Sequence, residues 1–146
     1  MNSLKSSTNA IRLDPRRLEQ FKSIGQKLGL SNAGLVSHLV REKIAAGIIP
    51  ADIPGVIVEA FDGGIRITID GGKTGSYSFA AARKLSATIR AVVSGKDKGV
   101  FDLDDNYAVM RRGAGYMIAA PWPGREVVFT GDLLIDLADI IDRTRA

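Results

Sequence analysis

The stretch from Thr8 to Gly47 holds one short strand, two amphipathic helices and no spare residue, and that economy governs how the chain can fold. Thr8 to Leu13 alternates, with Asn9, Ile11 and Leu13 on one side and Thr8, Ala10 and Arg12 on the other. Asp14-Pro15 opens a helix, with Asp as N-cap and Pro at the first helical position. Within it Leu18, Phe21, Ile24 and Leu28 form an apolar stripe that Gly29 terminates. Ser31 caps a second helix, striped by Leu35, Val36, Leu39, Val40 and Ile44 and stopped at Gly47. About forty residues of this kind have too little core to fold alone, and a lone strand is an unsatisfied edge. Two copies that pair their strands antiparallel and interlock their helices solve both problems. An obligate dimer is therefore expected.

Charge points to a partner for that dimer. The first fifty residues carry eight bases against three acids, +5, while the rest carry twelve bases against thirteen acids, −1. A compact segment of that charge attracts polyanions. The chain has no cysteine, which removes disulfides, thiolate metal sites and cysteine nucleophiles. Neither a secretory signal nor an apolar run of bilayer length occurs, so a cytoplasmic protein with no membrane association is expected.

The run Ile11-Arg12-Leu13-Asp14-Pro15 leading into Leu18 and Phe21, then Leu28-Gly29-Leu30-Ser31-Asn32 leading into Leu35, resembles the ribbon-helix-helix family of Arc, MetJ and CopG type. The resemblance covers about residues 8–47 and implies an intertwined dimer whose two-stranded ribbon enters the major groove of duplex DNA. It places Thr8, Ala10 and Arg12 against base edges, with Arg12 able to contact guanine through two hydrogen bonds. Ala10 departs from the usual polar residue and offers only apolar contact, and Asn9 departs from the usual inward apolar residue. The Ser31 hydroxyl and the N–H groups of Asn32 and Ala33 would hold a backbone phosphate, with Lys5, Arg16 and Arg17 as further backbone contacts.

Residues 50–55, with Pro50 and Pro54, form an expected linker between a 1–49 module and a second domain over 56–146. In the second domain Val56 to Phe61, Ile65 to Ile69 and Tyr77 to Phe79 are strand-like, and Ala80 to Val93 is helical. Tyr107 to Arg112, Tyr116 to Ala120 and Glu126 to Phe129 are again strand-like, followed by a helix over Asp132 to Arg143. A slide of fifty-one sets Gly64 on Gly115 and Ile67 on Ile118; a slide of fifty sets Phe79 on Phe129. The fold class expected is α+β: a ribbon-helix-helix module, then a small antiparallel-sheet domain with a possible tandem ββ(β)α repeat. This second domain resembles no family recognised from its residues. Its helix after a run of strands is a fold-level likeness to single-stranded DNA-binding folds of the transcriptional-coactivator and Whirly type.

Chemical motifs fail on inspection. Gly72-Lys73-Thr74 lacks the earlier glycine of a phosphate-binding loop, because position 67 is Ile67. Asp102, Asp104 and Asn106 have calcium-loop spacing, but Tyr107 stands where glycine is needed and Gly113 where glutamate is needed. Gly113-Ala114-Gly115 lacks the third glycine of a dinucleotide fingerprint. His38 is the single histidine, and its neighbour Ser37 points elsewhere on a helix. Catalytic residues, metal ligands and cofactors are therefore not assigned. Trp122, between Pro121 and Pro123, is either a ligand or partner contact or, the preferred reading, a plug at one end of the sheet core. Arg111 and Arg112 are a candidate auxiliary nucleic-acid surface.

The expected function is that of a homodimeric, or higher even-numbered, sequence-specific duplex-DNA-binding protein: a transcriptional repressor or a plasmid or phage accessory factor. One alternative is an antitoxin- or relaxosome-type adaptor whose second domain binds a partner protein. Another is single-stranded nucleic-acid binding by the second domain, which its slightly negative charge and sparse aromatics disfavour.

Overall fold

The computed structural model describes residues 9–144 and divides into two units, Met1–Pro50 and Ala51–Ala146. In the first, α1 (Pro15–Leu28) and α2 (Asn32–Ala45) are bounded by local chemistry. The Asp14 carboxylate accepts the Arg16 N–H at 2.8 Å, and Pro15 follows it at the first helical position. Gly29 then turns the chain with φ at +70°, a conformation that favours glycine, and the Ser31 hydroxyl caps α2 through the Gly34 N–H at 3.0 Å.

The expected strand Thr8–Leu13 is not among the elements formed. Thr8 lies outside the described residues, residues 9–13 belong to no strand, and the first strand among the described residues begins at Val56. The physical reason is pairing: a strand needs a hydrogen-bonded neighbour, and among the described residues of this unit no other strand is present to provide it. An N-terminal ribbon strand is thus not found among the described residues. The architecture is α+β, with four helices and two antiparallel sheets among the described residues.

The second unit begins before the expected boundary at 56, because Ile53, within the segment taken as a linker, is buried in its core. β1 (Val56–Phe61), β2 (Gly64–Ile69) and β3 (Gly75–Ser78) form a first sheet in that order, followed by α3 (Phe79–Val93). β4 (Gly99–Asp102), β5 (Tyr107–Arg112), β6 (Gly115–Ala119) and β7 (Val127–Phe129) form a second sheet, followed by α4 (Gly131–Arg143). The core between sheets and helices gathers Ile65, Ile67, Leu85, Ile118, Leu134 and Leu137, all fully buried. Among the described residues, no helix is long and apolar enough to cross a membrane.

Strand registers match between the halves of this unit. Val58 pairs Ile67 in the first sheet and Val109 pairs Ile118 in the second, each fifty-one positions on. Tyr77 opposite Ile65 corresponds to Phe129 opposite Tyr116, with the third strand fifty-two positions on. The slide of fifty that set Phe79 on Phe129 is therefore off by two, since Phe79 already begins α3. The helices keep the fifty-two: Ala82, Leu85, Ser86 and Ile89 are buried in α3, and Leu134, Leu137, Ala138 and Ile141 in α4. Gly64 and Gly115 also correspond. A Cβ at Gly64 would collide with the Tyr77 carbonyl, and one at Gly115 would come within 2.9 Å of the Phe129 carbonyl.

Candidate DNA-binding surface

Every site residue inside the described part of the first unit is exposed: Ala10, Arg12, Arg16, Arg17, Ser31, Asn32 and Ala33. Lys5 and Thr8 lie outside the described residues. Arg12 lies two residues before the Asp14 cap of α1, while the first turn of α1 carries Arg16 and Arg17. Arg16 makes an ion pair at 3.7 Å with Asp14, and Arg17 donates to the Gln20 side-chain Oε1 at 2.8 Å. Both pairs are exposed, and a phosphate would displace them at little cost. Ser31, Asn32 and Ala33 begin α2 beyond the other end of α1, about 20 Å along a helix of this length. Because Ser31 occupies the Gly34 N–H, the Asn32 and Ala33 N–H groups are the first-turn donors that face water, at the positive end of the α2 dipole.

Between these polar ends the unit is apolar and open. Ile11, Leu13, Leu18, Phe21, Ile24 and Val36 line a groove of about 880 Å³ whose rim includes Arg17 and Asn32. Among the described large apolar side chains of this unit Leu35 alone is buried, while Ile11 is 85% exposed and Ile24, Leu28, Val36, Leu39 and Val40 lie near half exposure. The groove was implicit in the helical stripes. Sequence periodicity did not show that α1 and α2 turn so little of those stripes toward each other.

In the second unit the titratable groups serve packing. Lys84 on α3 holds Asp102 at 2.7 Å and Asp105 at 2.9 Å, which tie the helix to the turn after β4. Hydrogen bonds donated to Asp102 and Asp105 push the Lys84 ammonium above its ordinary range, and Lys84 with the Asp105 N–H holds Asp102 below the usual carboxylate range. Asp102 also accepts the Asp104 N–H, so the residues with calcium-loop spacing form a turn. Burial raises the Tyr77 phenol, which donates to the Asn106 carbonyl at 2.9 Å. On α3, Arg90 bridges Asp139 and Asp142 of α4. No cluster of three or more metal-binding side chains occurs among the described residues.

Trp122 does not close the end of the main core. It packs with Ala108, Met110, Met117 and Ala119 on the opposite face of the second sheet, its ring edge-on to Phe101 at 5.1 Å. Its backbone N–H donates to the same Asn106 carbonyl that Tyr77 uses. Arg111 and Arg112 are exposed, but Arg112 is held by Glu126 at 2.8 Å. No family model, no curated protein and no solved structure matches this chain.

Proposed function

We propose that the chain is a homodimeric, sequence-specific duplex-DNA-binding protein, a repressor or plasmid or phage accessory factor, whose first unit pairs with a second copy as a ribbon-helix-helix module. The observation that carries this reading is the open apolar groove of the first unit, flanked by Ile11 and Leu13 from the segment before α1. A basic unit that leaves both helical stripes near half exposure is incomplete as a monomer. A second copy supplies the missing cover and pairs the two segments around Arg12. In that assembly Arg12 and Ala10 read base edges, while Ser31, Asn32, Ala33, Arg16 and Arg17 hold phosphates. The second unit is read as a tandem ββ(β)α repeat, supported by the matching registers and helix burial of its halves.

Selection of bound sites from random duplex, with wild type and Arg12→Ala, tests this. Wild type is expected to enrich a palindromic site, and Arg12→Ala to lose about 1–3 kcal/mol of discrimination at one position per half-site. Unchanged affinity and unchanged preference for Arg12→Ala would overturn the docking of the ribbon.

A further inference from the structure

The helices of the second unit correspond residue for residue fifty-two positions apart, from the caps Ser78 and Thr130 onward, and every position buried in α4 is buried in α3. Their charges do not correspond. α3 carries Arg83, Lys84 and Arg90 and no acid, whereas α4 carries four aspartates and the single base Arg143. At matching positions Lys84 stands for Asp136, Ala87 for Asp139 and Arg90 for Asp142. Part of this inversion lies where the two helices meet. Arg90 donates to Asp139 at 2.7 Å and to Asp142 at 2.9 Å, and the buried Ser86 hydroxyl donates to Asp142 at 2.6 Å. Position 90 therefore touches its own counterpart, position 142. Two like halves packed in this way would set Arg90 against Arg90, or Asp142 against Asp142.

We infer that α3 and α4 form a charge-coded pair, which admits two unlike halves and rejects two like ones. The matching of positions rests on the tandem-repeat reading, while the pairing itself rests on the contacts of Arg90. An isolated exposed ion pair would discriminate little. Here one guanidinium bridges two carboxylates, and one of those also satisfies a buried hydroxyl. A like pairing loses these bonds and adds repulsion between groups held within hydrogen-bond distance. Where the proposed dimer of first units holds two chains side by side, the code keeps the first half of one chain from joining the first half of the other. Each closed unit then contains one half of each kind.

The experiment is a charge-reversal series in the full chain, read by denaturant unfolding of the second unit through its single tryptophan, Trp122. Arg90→Met keeps a long apolar stem and removes the charge, whereas Arg90→Asp installs the residue of the matching position and so builds the like pairing. Relative to wild type, the unfolding constant should rise about threefold for Arg90→Met and more than about tenfold for Arg90→Asp. Asp139→Arg alone should also destabilise. Added to Arg90→Asp it puts one base back between two acids, and the constant should return to within about threefold of wild type. Molar salt should narrow the gap between Arg90→Asp and Arg90→Met. Should Arg90→Asp not fold by circular dichroism, recovery of a folded chain on adding Asp139→Arg sustains the inference, and no recovery overturns it. Arg90→Asp no less stable than Arg90→Met, or a double variant no more stable than Arg90→Asp, also overturns it. Either result leaves the repeat standing, since that reading rests on strand registers and helix burial.

Discussion

The two units handle the same kind of apolar pattern in opposite ways. In the second, the alternating strands and helical stripes close on one another, and Ile65, Ile67, Leu85, Leu134 and Leu137 reach zero exposure. In the first, stripes of equal regularity leave Val36, Leu39, Val40 and Ile24 between 36% and 49% exposed. A sheet covered by a helix is a complete layer, whereas two helices cover only a strip of each other. Periodicity therefore reports which face is apolar, and layer count reports whether the chain itself can cover it. By this measure the first unit leaves its stripes open, and the second closes its main core.

A matched pair of substitutions puts the largest strain on that contrast. Val36→Asp would move the stability of a self-sufficient unit by less than about 0.5 kcal/mol, since the side chain is half exposed. With a second copy seated in the groove it buries an unpaired carboxylate at a cost of about 3–5 kcal/mol, and twofold symmetry applies it twice. The expected outcome is a fall in duplex affinity of more than about a hundredfold, with the dimer lost by mass and the second unit's unfolding unchanged. Leu85→Ala is the counterpart in the closed core and should cost about 2–5 kcal/mol in denaturant unfolding, independent of protein concentration. If Val36→Asp left both mass and duplex binding intact, the two units would differ in degree and not in kind.

Alkaline pH sharpens the contrast from the side of the second unit. Tyr77 and Tyr107 are raised above the ordinary phenol value, mainly by burial. A folded-state pKa above the unfolded one means the unfolded chain releases protons first, so this stability is whole below about pH 10 and declines above it. The first unit contains no tyrosine. Tyrosinate absorbance should therefore rise together with loss of the second unit's helix signal, and ionisation of both phenols ahead of unfolding would contradict their burial. The Lys84–Asp102 pair adds the opposite limit. Its carboxylate is held below its usual range, so the contribution is present above about pH 4 and lost as acid protonates it.

Much of this was legible in the residues. Asp14-Pro15, Gly29 and Ser31 delimit α1 and the start of α2 because each does its work through its own backbone, without tertiary help. The strands of the second unit showed through alternation for a similar reason. β4 escaped notice because its four residues, Gly99 to Asp102, are too short to show a period and divide between two faces: Val100 packs on the main core and Phe101 beside Trp122. Trp122 was misplaced because proline-flanked loops carry no periodicity to say which face they cover. A signal for the second apolar face was nonetheless present: Tyr107 to Met110 and Tyr116 to Ala119 are apolar on both parities, as strands covered on both faces are. At the proposed DNA-binding surface the residues gave candidates but not their assembly, since the proposed pairing of the segment before α1 needs a second molecule.

Two serine caps provide the finest discrimination between the units. Ser31 accepts the Gly34 N–H at 3.0 Å and Ser78 accepts the Ala81 N–H at 3.1 Å, so the same chemistry starts α2 and α3. Replacing either by alanine should cost about 1 kcal/mol of stability in its own unit. Function separates them. Ser31→Ala removes a hydroxyl from the proposed phosphate clamp, so duplex affinity should fall about tenfold beyond the stability effect, evenly across sequences. Ser78→Ala should leave duplex affinity where it was. Thr130 occupies the matching position before α4 but makes no side-chain cap bond, so Thr130→Ala should cost far less than Ser78→Ala. Equal duplex affinities for Ser31→Ala and Ser78→Ala would reduce Ser31 to a helix cap and leave the proposed phosphate contact to the Asn32 and Ala33 backbone alone.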